Sequence, residues 1–226
     1  MRYMIHSTPS RTWYVNDFLI PSMIQQGIKE KEIIVRCDTD GEGNLTSCMK
    51  SFLYCGQNTA EGTWHLQDDV IISRDFAEAT KTFNQGIVCG AVVKEWGPDY
   101  TRIGIQPVQN LWYSFQCIRI PDEIAGECAV WFFTDASKRT NYKYSKRVKR
   151  KKHDDDFFQF FLFEKHPGMQ ILNLKPNIVD HIDYLIGGSL INDSRERKIN
   201  RMFWFKDKDL VEDRETKLEE YRAENM

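Results

Sequence analysis

Two adjacent carboxylates, Asp68 and Asp69, directly follow an apolar and aromatic stretch of this 226-residue sequence. Neighbouring Asp side chains repel each other and are costly to desolvate, so a cation beside them lowers the free energy of the pair. Mg²⁺ and Mn²⁺ suit oxygen ligands, and Mg²⁺ typically binds through one or two carboxylates together with substrate phosphates. The pair therefore predicts a metal–diphosphate site, and the competing interpretation is a solvated turn, where Asp is common.

The stretch that carries the acid pair, residues 64–72, reads as a short strand with Asp68 and Asp69 at its end. Before it, the spacing of apolar residues predicts an alternation of strands and helices. These elements are strands at residues 2–6 and 32–37 and helices at residues 13–26 and 45–54. Pro21 predicts a kink or a break in the first helix, and Asn44 is expected to cap the second.

Strands that alternate with helices predict an α/β fold with a parallel, doubly wound sheet. Polar clusters follow three of the predicted strands, at residues 6–11, 38–44 and 68–69. Ligands of such sheets bind beyond the carboxyl ends of the strands, which lie at one edge. We therefore expect the three clusters to converge, and this strengthens the metal–diphosphate interpretation.

A second acidic cluster, Asp154, Asp155 and Asp156, precedes the aromatic segment 157–163, which reads as a buried helix. Acidic residues favour the N-terminus of a helix, and a cap worth about 1 kcal/mol explains one of them. The cluster has more carboxylates than a cap needs. In the functional interpretation, one of these carboxylates is a general base at the mouth of the site. The helix cap and the general base both stay open, because the two roles are compatible.

Composition and charge narrow the class of protein. A net charge of −2 argues against a general nucleic-acid binder, and 41% hydrophobic residues suffice for the core of one α/β domain. The sequence has no run of about 18 apolar residues and no signal-peptide pattern, so a cytoplasmic protein is expected. Six cysteines without C-x-x-C spacing predict reduced, mostly buried thiols.

A basic run begins at Lys143 and ends at Lys152, and seven of its ten residues are Lys or Arg. Such a run contacts a phosphate or a nucleic acid, or forms a solvated loop. The tail from residue 206 is highly charged with a thin apolar stripe, which predicts a partly exposed helix. We expect one domain at residues 1–200 and a charged helical tail at residues 201–226.

Over roughly residues 1–195 the chain resembles glycosyltransferases of the GT-A fold. In that family a short acidic motif, DxD or its variant EDD, holds a divalent metal against the diphosphate of a nucleotide sugar. Gln67, Asp68 and Asp69 occupy its place, and Gln67 departs from it. The resemblance implies a metal-dependent glycosyltransferase with a mixed, mainly parallel central sheet flanked by helices.

The resemblance also implies roles for single residues. Asp69 would hold Mn²⁺ or Mg²⁺ with His181, which lies in a segment similar to the family's late P-x-L-V-x-H motif. Asp155 or Asp156 matches the segment with the catalytic carboxylate, which removes a proton from the acceptor hydroxyl. The residues implied for binding of the nucleotide-sugar donor are His6, Thr8, Arg11, Asp38, Asn44 and Asp68. The short loops resemble those of phage transferases, which implies the host cytoplasm.

Three other functions stay open. A metal-dependent nuclease or phosphoryl-transfer enzyme would use the same carboxylates, with the basic run on a phosphate backbone. A DNA-modifying glycosyltransferase would hold DNA with that run and stack aromatic side chains on a hydroxylated base, although core packing explains these aromatics more simply. They are Trp96, Tyr100, Trp112 and Tyr113. A non-enzymatic binding protein on the same fold is the third.

Overall fold

The computed structural model describes residues 1–91, 104–107, 115–135, 154–187 and 205–225. Two sequence predictions lie outside these residues: the basic run, and base stacking by Trp96, Tyr100, Trp112 and Tyr113.

Parallel strands form the first half of the central sheet. They are β1 (Arg2–Ser7), β2 (Ile33–Cys37) and β3 (Thr63–Gln67). β1 lies in the middle, with Tyr3 beside Ile33 of β2 and beside Trp64 of β3. The predicted parallel arrangement of these strands is confirmed.

The helix after β1, called α1, is a continuous run of three segments. They are Thr12–Tyr14, the π-helical turn Val15–Leu19, and Ile20–Gln25. The run continues through Pro21 without a break, and the π-helical turn is the local distortion beside it. Gly27 follows the helix with φ 84°, as a glycine stop requires.

The second helix, α2 (Asn44–Gln57), starts differently from the prediction. Gly43, with φ 89°, occupies the N-cap position, and Asn44 is the first helical residue, with a side chain that does not cap the helix. The carboxylate of Asp38 accepts the backbone N–H groups of Glu42 at 3.0 Å and of Gly43 at 2.9 Å. Asp38 thereby fixes the loop that leads into α2.

The predicted strand around the acid pair is two strands. β3 ends at Gln67, and β4 (Val70–Ile72) leaves the main sheet to pair antiparallel with β9 (Val179–His181). Asp68 and Asp69 form the turn between β3 and β4. The carboxylates therefore lie at a corner, where the chain passes from one sheet to another.

The described residues contribute four more strands to the central sheet: β5 (Ile87–Cys89), β6 (Gly104–Pro107), β7 (Cys117–Ile120) and β8 (Gln170–Asn173). The sheet then has seven strands in the order β2-β1-β3-β7-β5-β8-β6. β7 is antiparallel to β3 and β5, and β6 is antiparallel to β8. The predicted mixed, mainly parallel sheet flanked by helices is confirmed. The remaining α-helices of the described residues are α3 (Phe76–Thr82), α4 (Asp122–Thr134), α5 (Asp154–Lys165) and α6 (Lys208–Asn225).

Apolar clusters cover both faces of the sheet. Leu19 of α1 belongs to the same cluster as Ile5 and Leu66. Phe52 of α2 belongs to a second cluster with Met4. Because adjacent residues of a strand point to opposite faces, α1 and α2 pack on opposite sides of β1.

The charged C-terminal helix α6 packs against α1. Leu218 is buried, and the ring of Tyr221 stacks on Trp13 with centroids 5.1 Å apart. Within the described part of the chain, every helix is too short or too polar to cross a membrane. All six cysteines lie in the described ranges and are free thiols, as predicted.

Candidate functional site

The acid pair lies at a topological switch point of the sheet. From β1 the chain passes through α1 on one face to β2, and then through α2 on the other face to β3, on the far side of β1. The strand order therefore reverses at β1, and open α/β sheets bind ligands beyond the carboxyl ends of the strands at such a point. The turns after the two strands carry Thr8, Arg11, Asp68 and Asp69.

Arg11 joins the two carboxylates through one guanidinium nitrogen. Its Nη1 lies 3.0 Å from Oδ1 of Asp68 and 2.5 Å from Oδ2 of Asp69. Oδ2 of Asp68 accepts the backbone N–H of Thr8 at 3.0 Å. Arg11, Asp68 and Asp69 are only 4%, 5% and 6% exposed, so these charges interact with little screening by water.

His181 reaches the same place from the two-stranded sheet. In the pairing of β4 with β9 it lies opposite Val70, the residue after the acid pair. Its Nε2 is 3.0 Å from Oδ2 of Asp69, and its Nδ1 is 3.8 Å from a carboxylate oxygen of Asp183. The backbone N–H of Ile182 donates to the carbonyl of Asp69 at 2.8 Å. The short sheet thus fixes His181 against the acid pair.

The two carboxylates of the pair differ in pKa. Burial raises the pKa of Asp69, but the charges and hydrogen bonds of His181 and Arg11 outweigh burial and hold this pKa below its usual range. For Asp68, burial and the charge of Asp69 outweigh Arg11, so the pKa of Asp68 is raised. Asp69 therefore keeps its negative charge, which is the state that a metal ligand needs.

The oxygen atoms of this site fit Mg²⁺ or Mn²⁺. Oδ1 of Asp69 is buried and accepts no hydrogen bond from the described residues. A cation at this oxygen would remove the cost of leaving it without a partner. In the described ranges no three His, Cys, Asp or Glu side chains form a metal cage, so phosphate oxygens and water would complete the coordination.

A cavity of about 320 Å³ opens beside Asp38 at the carboxyl end of β2. Its walls carry both signs of charge, with Arg36 and Lys50 facing the same space as Asp40 and Glu42. The volume is at the lower end of the range of small-molecule sites, and the lining is polar, whereas most such sites are mainly apolar. Two oxygens of Asp38 already hold backbone N–H groups, and a carboxylate has lone pairs for further donors.

His6 pairs with His65, a residue that the sequence analysis did not single out. Nε2 of His6 lies 3.0 Å from Nδ1 of His65, and the rings stack with centroids 5.3 Å apart. Burial, helped by the charge of Arg36, lowers the pKa of His6 to about 4. Burial also lowers the pKa of His65 well below its usual value, so both rings are neutral at pH 7. A histidine inside an apolar strand was the available sequence signal.

The second acidic cluster begins α5, and Asp154 is its buried member. Asn44 donates a hydrogen bond through Nδ2 to Oδ1 of Asp154 at 2.9 Å. Burial, followed by the charge of Asp155, raises the pKa of Asp154 to about 7. Asp155 and Asp156 are partly exposed. Because Asn44 starts α2 just after β2, this bond brings the start of α5 to the carboxyl edge of the sheet.

The sequence-predicted site residues fall into separate contact groups along this edge. The group around the acid pair contains Thr8, Arg11, Asp68, Asp69 and His181. The others make contacts elsewhere: His6 with His65, Asn44 with Asp154, and Asp38 with its own loop. Asp155 and Asp156 lie in the first turn of α5, beside Asp154.

Three solved structures illustrate the similarities of the chain. A putative glucose-1-phosphate thymidylyltransferase from Bacillus anthracis has 8% identity over 77% of this chain and 87% of its own, with a TM-score of 0.40. A glycosyltransferase involved in the glycosylation of the major capsid of PBCV-1 has 12% identity, coverages of 78% and 83%, and a TM-score of 0.43. HddC from Yersinia pseudotuberculosis has 10% identity, coverages of 77% and 90%, and a TM-score of 0.39.

Similarities at this level do not identify a reaction or a substrate. No protein-family model matches the sequence, and no curated protein matches it. The chemistry of the site therefore rests on its own residues.

Proposed function

We propose that this protein is a glycosyltransferase that moves a sugar from a nucleotide-sugar donor to an acceptor hydroxyl, with Mn²⁺ or Mg²⁺ as cofactor. The observation that carries the proposal is the contact of Asp69 with Arg11 and His181 at the switch point between β1 and β3. An ionised carboxylate with one oxygen that accepts no hydrogen bond from the described residues suits a divalent cation. A guanidinium suits phosphate. Together they suit the diphosphate of a sugar nucleotide.

The donor would lie along the carboxyl edge of the sheet. Its nucleoside would occupy the cavity beside Asp38, whose remaining lone pairs would accept hydrogen bonds from the ribose hydroxyls. Its diphosphate would lie at the turn after β1, near Thr8 and Arg11. His6, near the carboxyl end of β1, and Asn44, the first residue of α2, would border the donor.

Asp69 and His181 would hold the metal, and Asp68 would orient the groups around it. A metal bound there would stabilise the negative charge that develops on the leaving nucleoside diphosphate. The backbone bond from Ile182 to the carbonyl of Asp69 keeps the ligands in register. Such positioning is what metal sites require of the surrounding protein.

The first turn of α5 would supply the general base. A base must lie within hydrogen-bond reach of the acceptor hydroxyl, and Asp155 and Asp156 are the partly exposed carboxylates of this turn. Asp154 is buried and accepts a hydrogen bond from Asn44, so it is a weaker candidate for direct contact with an acceptor. We therefore assign the role to Asp155 or Asp156.

The test is turnover. Purified protein is incubated with nucleotide sugars that differ in base and sugar, with Mn²⁺ or with a chelator, and release of nucleoside diphosphate is measured. We expect the wild type to release nucleoside diphosphate from one donor class in Mn²⁺, and Asp69→Asn to lose this activity. We expect Asp155→Asn or Asp156→Asn to lose turnover while it still binds the donor. Full activity of Asp69→Asn in chelator contradicts the metal assignment, and unchanged turnover in both α5 variants removes the general base.

Two further readouts separate other reaction classes. Release of pyrophosphate from a nucleoside triphosphate and a sugar 1-phosphate would replace glycosyl transfer with nucleotidyl transfer. Salt-sensitive binding of duplex DNA without binding of any nucleotide sugar would replace the proposal with a nucleic-acid enzyme.

A further inference from the structure

Arg11 lies against Oδ2 of Asp69, the carboxylate that would hold a divalent cation together with His181. Its Nη1 contacts both Oδ1 of Asp68 and Oδ2 of Asp69. We propose that Arg11 is an exchangeable counter-cation: it leaves the acid pair when a divalent metal and a diphosphate arrive together, and its guanidinium then binds the diphosphate. The identity of that diphosphate rests on the proposed function, whereas the exchange itself concerns only Arg11, the acid pair and the metal.

Geometry makes the two cations competitors. Oδ2 of Asp69 already has Nη1 of Arg11 at 2.5 Å and Nε2 of His181 at 3.0 Å. A metal at about 2.1 Å from either carboxylate oxygen of Asp69 would lie within a few ångströms of Nη1. Arg11, Asp68 and Asp69 are buried. In such a site the positive charges of a metal ion and of the Arg11 guanidinium repel each other more strongly than in water. A metal therefore binds the acid pair tightly only after Arg11 has moved away.

The diphosphate would supply a new partner for the Arg11 guanidinium. A buried guanidinium that loses its carboxylates without a replacement is strongly destabilising, so the metal alone displaces Arg11 poorly. Phosphate oxygens are good partners for a guanidinium. Arg11 ends the short helical turn Pro9–Arg11 beyond the carboxyl end of β1, where a phosphate bound at the switch point would lie. The exchange thus couples metal binding to diphosphate binding.

The first experiment uses the metal alone. Mn²⁺ is titrated into the full chain without nucleotide, and free Mn²⁺ is followed by its electron paramagnetic resonance signal. Arg11→Met keeps the apolar length of the side chain and removes its charge. We expect Arg11→Met to bind Mn²⁺ at least ten-fold more tightly than the wild type. Equal or weaker binding overturns the proposal.

Arg2→Met is the matched control. Arg2 also makes an ion pair of 2.5 Å with a buried carboxylate, that of Asp122, at the other edge of the sheet. Its loss costs stability in the same way without touching the acid pair, so Mn²⁺ affinity should equal that of the wild type. An equal gain in both variants means that loosened structure, not exchange, binds Mn²⁺, and overturns the proposal.

Arg11→Lys keeps the test decisive if Arg11→Met does not fold. Lysine retains the charge on a shorter, more strongly hydrated group that bridges the two carboxylates less well. We expect Mn²⁺ to bind Arg11→Lys at least three-fold more tightly than the wild type, and unchanged affinity overturns the exchange.

Inorganic pyrophosphate tests the second half of the proposal without a base or a sugar. In saturating Mn²⁺, pyrophosphate should bind the Arg11 variants at least ten-fold more weakly than the wild type. Equal binding shows that Arg11 does not contact the diphosphate and overturns that half.

Binding of nucleotide sugars is measured separately, so the two proposals can fail independently. A gain of Mn²⁺ affinity in Arg11→Met without binding of any nucleotide sugar supports the exchange and removes the glycosyltransferase. Binding of a nucleotide sugar without that gain removes the exchange alone.

Discussion

At the scale of residues, carboxylates at one edge of the sheet have pKa values shifted in opposite directions. His181 and Arg11 hold the pKa of Asp69 down against burial, whereas burial and a neighbouring charge raise the pKa of Asp154 to about 7. Carboxyl groups whose pKa values are pushed apart can take different tasks in one site. Asp69 stays an anion for a cation, and Asp154 stays protonated in mildly acidic solution.

We predict that Asp154→Asn gains stability relative to the wild type as pH rises from about 4 to about 7. In this window the unfolded chain has lost the Asp154 proton while the folded chain keeps it, so the free energy of unfolding of the wild type falls with pH. Asparagine does not titrate, so Asp154→Asn lacks this pH-dependent loss of stability. The relative gain is at most roughly 4 kcal/mol, and urea denaturation at pH 4 and pH 8 measures it.

Glu219→Gln, an exposed change on α6, is the control for the Asp154 prediction and should show no such trend. The same stability difference between wild type and Asp154→Asn at both pH values would contradict a protonated, buried Asp154.

A structural carboxylate lies at the opposite edge of the sheet. Asp122 accepts hydrogen bonds from Arg2, from Thr63 at 2.7 Å and from the backbone N–H of Ala60 at 2.6 Å. We predict that Asp122→Ala lowers the free energy of unfolding by about 3–5 kcal/mol, because it leaves Arg2 without its buried partner. Chemical denaturation measures the loss.

Glu123→Ala, at the exposed neighbouring position, should cost less than about 0.5 kcal/mol. Folded Asp122→Ala should still bind nucleotide sugar with unchanged affinity. A loss of affinity there would mean that the ligand site extends across the sheet.

At the scale of elements, α2 and α4 approach each other through glycines. A Cβ built on Gly126 would lie 2.8 Å from the Cα of Gly56, and a Cβ built on Gly56 would lie 2.5 Å from the Cα of Gly126. Both contacts are with backbone atoms, which cannot rotate away. Because α2 begins at Asn44 and the cavity beside Asp38, this close packing helps to position the site.

We predict that Gly126→Ala is destabilising, by up to about 2 kcal/mol. The gain in helix propensity is about 1 kcal/mol, and an overpacked contact with backbone costs typically 1–3 kcal/mol, so the clash outweighs the gain. Gly168→Ala is the control, because a Cβ there meets no described atom within 4 Å and should change stability by less than about 0.5 kcal/mol. Thermal unfolding compares the two, and equal stabilities would contradict the close approach.

Element types were largely predictable, and element ends were less so. The apolar spacing predicts α1, but the π-helical turn beside Pro21 depends on packing of the finished helix. Asn44 has a side chain that favours a helix cap, yet this side chain donates a hydrogen bond to Asp154, the first residue of the distant helix α5. The division of one predicted strand at Asp68 depends on pairing with β9, more than 100 residues later. Such tertiary contacts override local preference.

At the scale of the whole molecule, the alternating first half is the predictable part. Local spacing specifies strand and helix there, whereas the direction of β6 and β7 depends on pairing between distant segments. The site shows the same limit. Convergence of the polar clusters follows from a parallel sheet, but the Arg11 bonds to Asp68 and Asp69 span 57 and 58 residues, and local sequence does not encode them.

The most direct test of the site is calorimetric titration of nucleotide sugars into the wild type and Asp69→Asn, in Mn²⁺ and in chelator. We predict that one donor class binds the wild type in Mn²⁺ and that either chelation or Asp69→Asn weakens binding at least about 100-fold, or about 2.8 kcal/mol. Binding of equal strength in chelator, or in Asp69→Asn, would contradict a metal–diphosphate site at the carboxyl ends of β1 and β3.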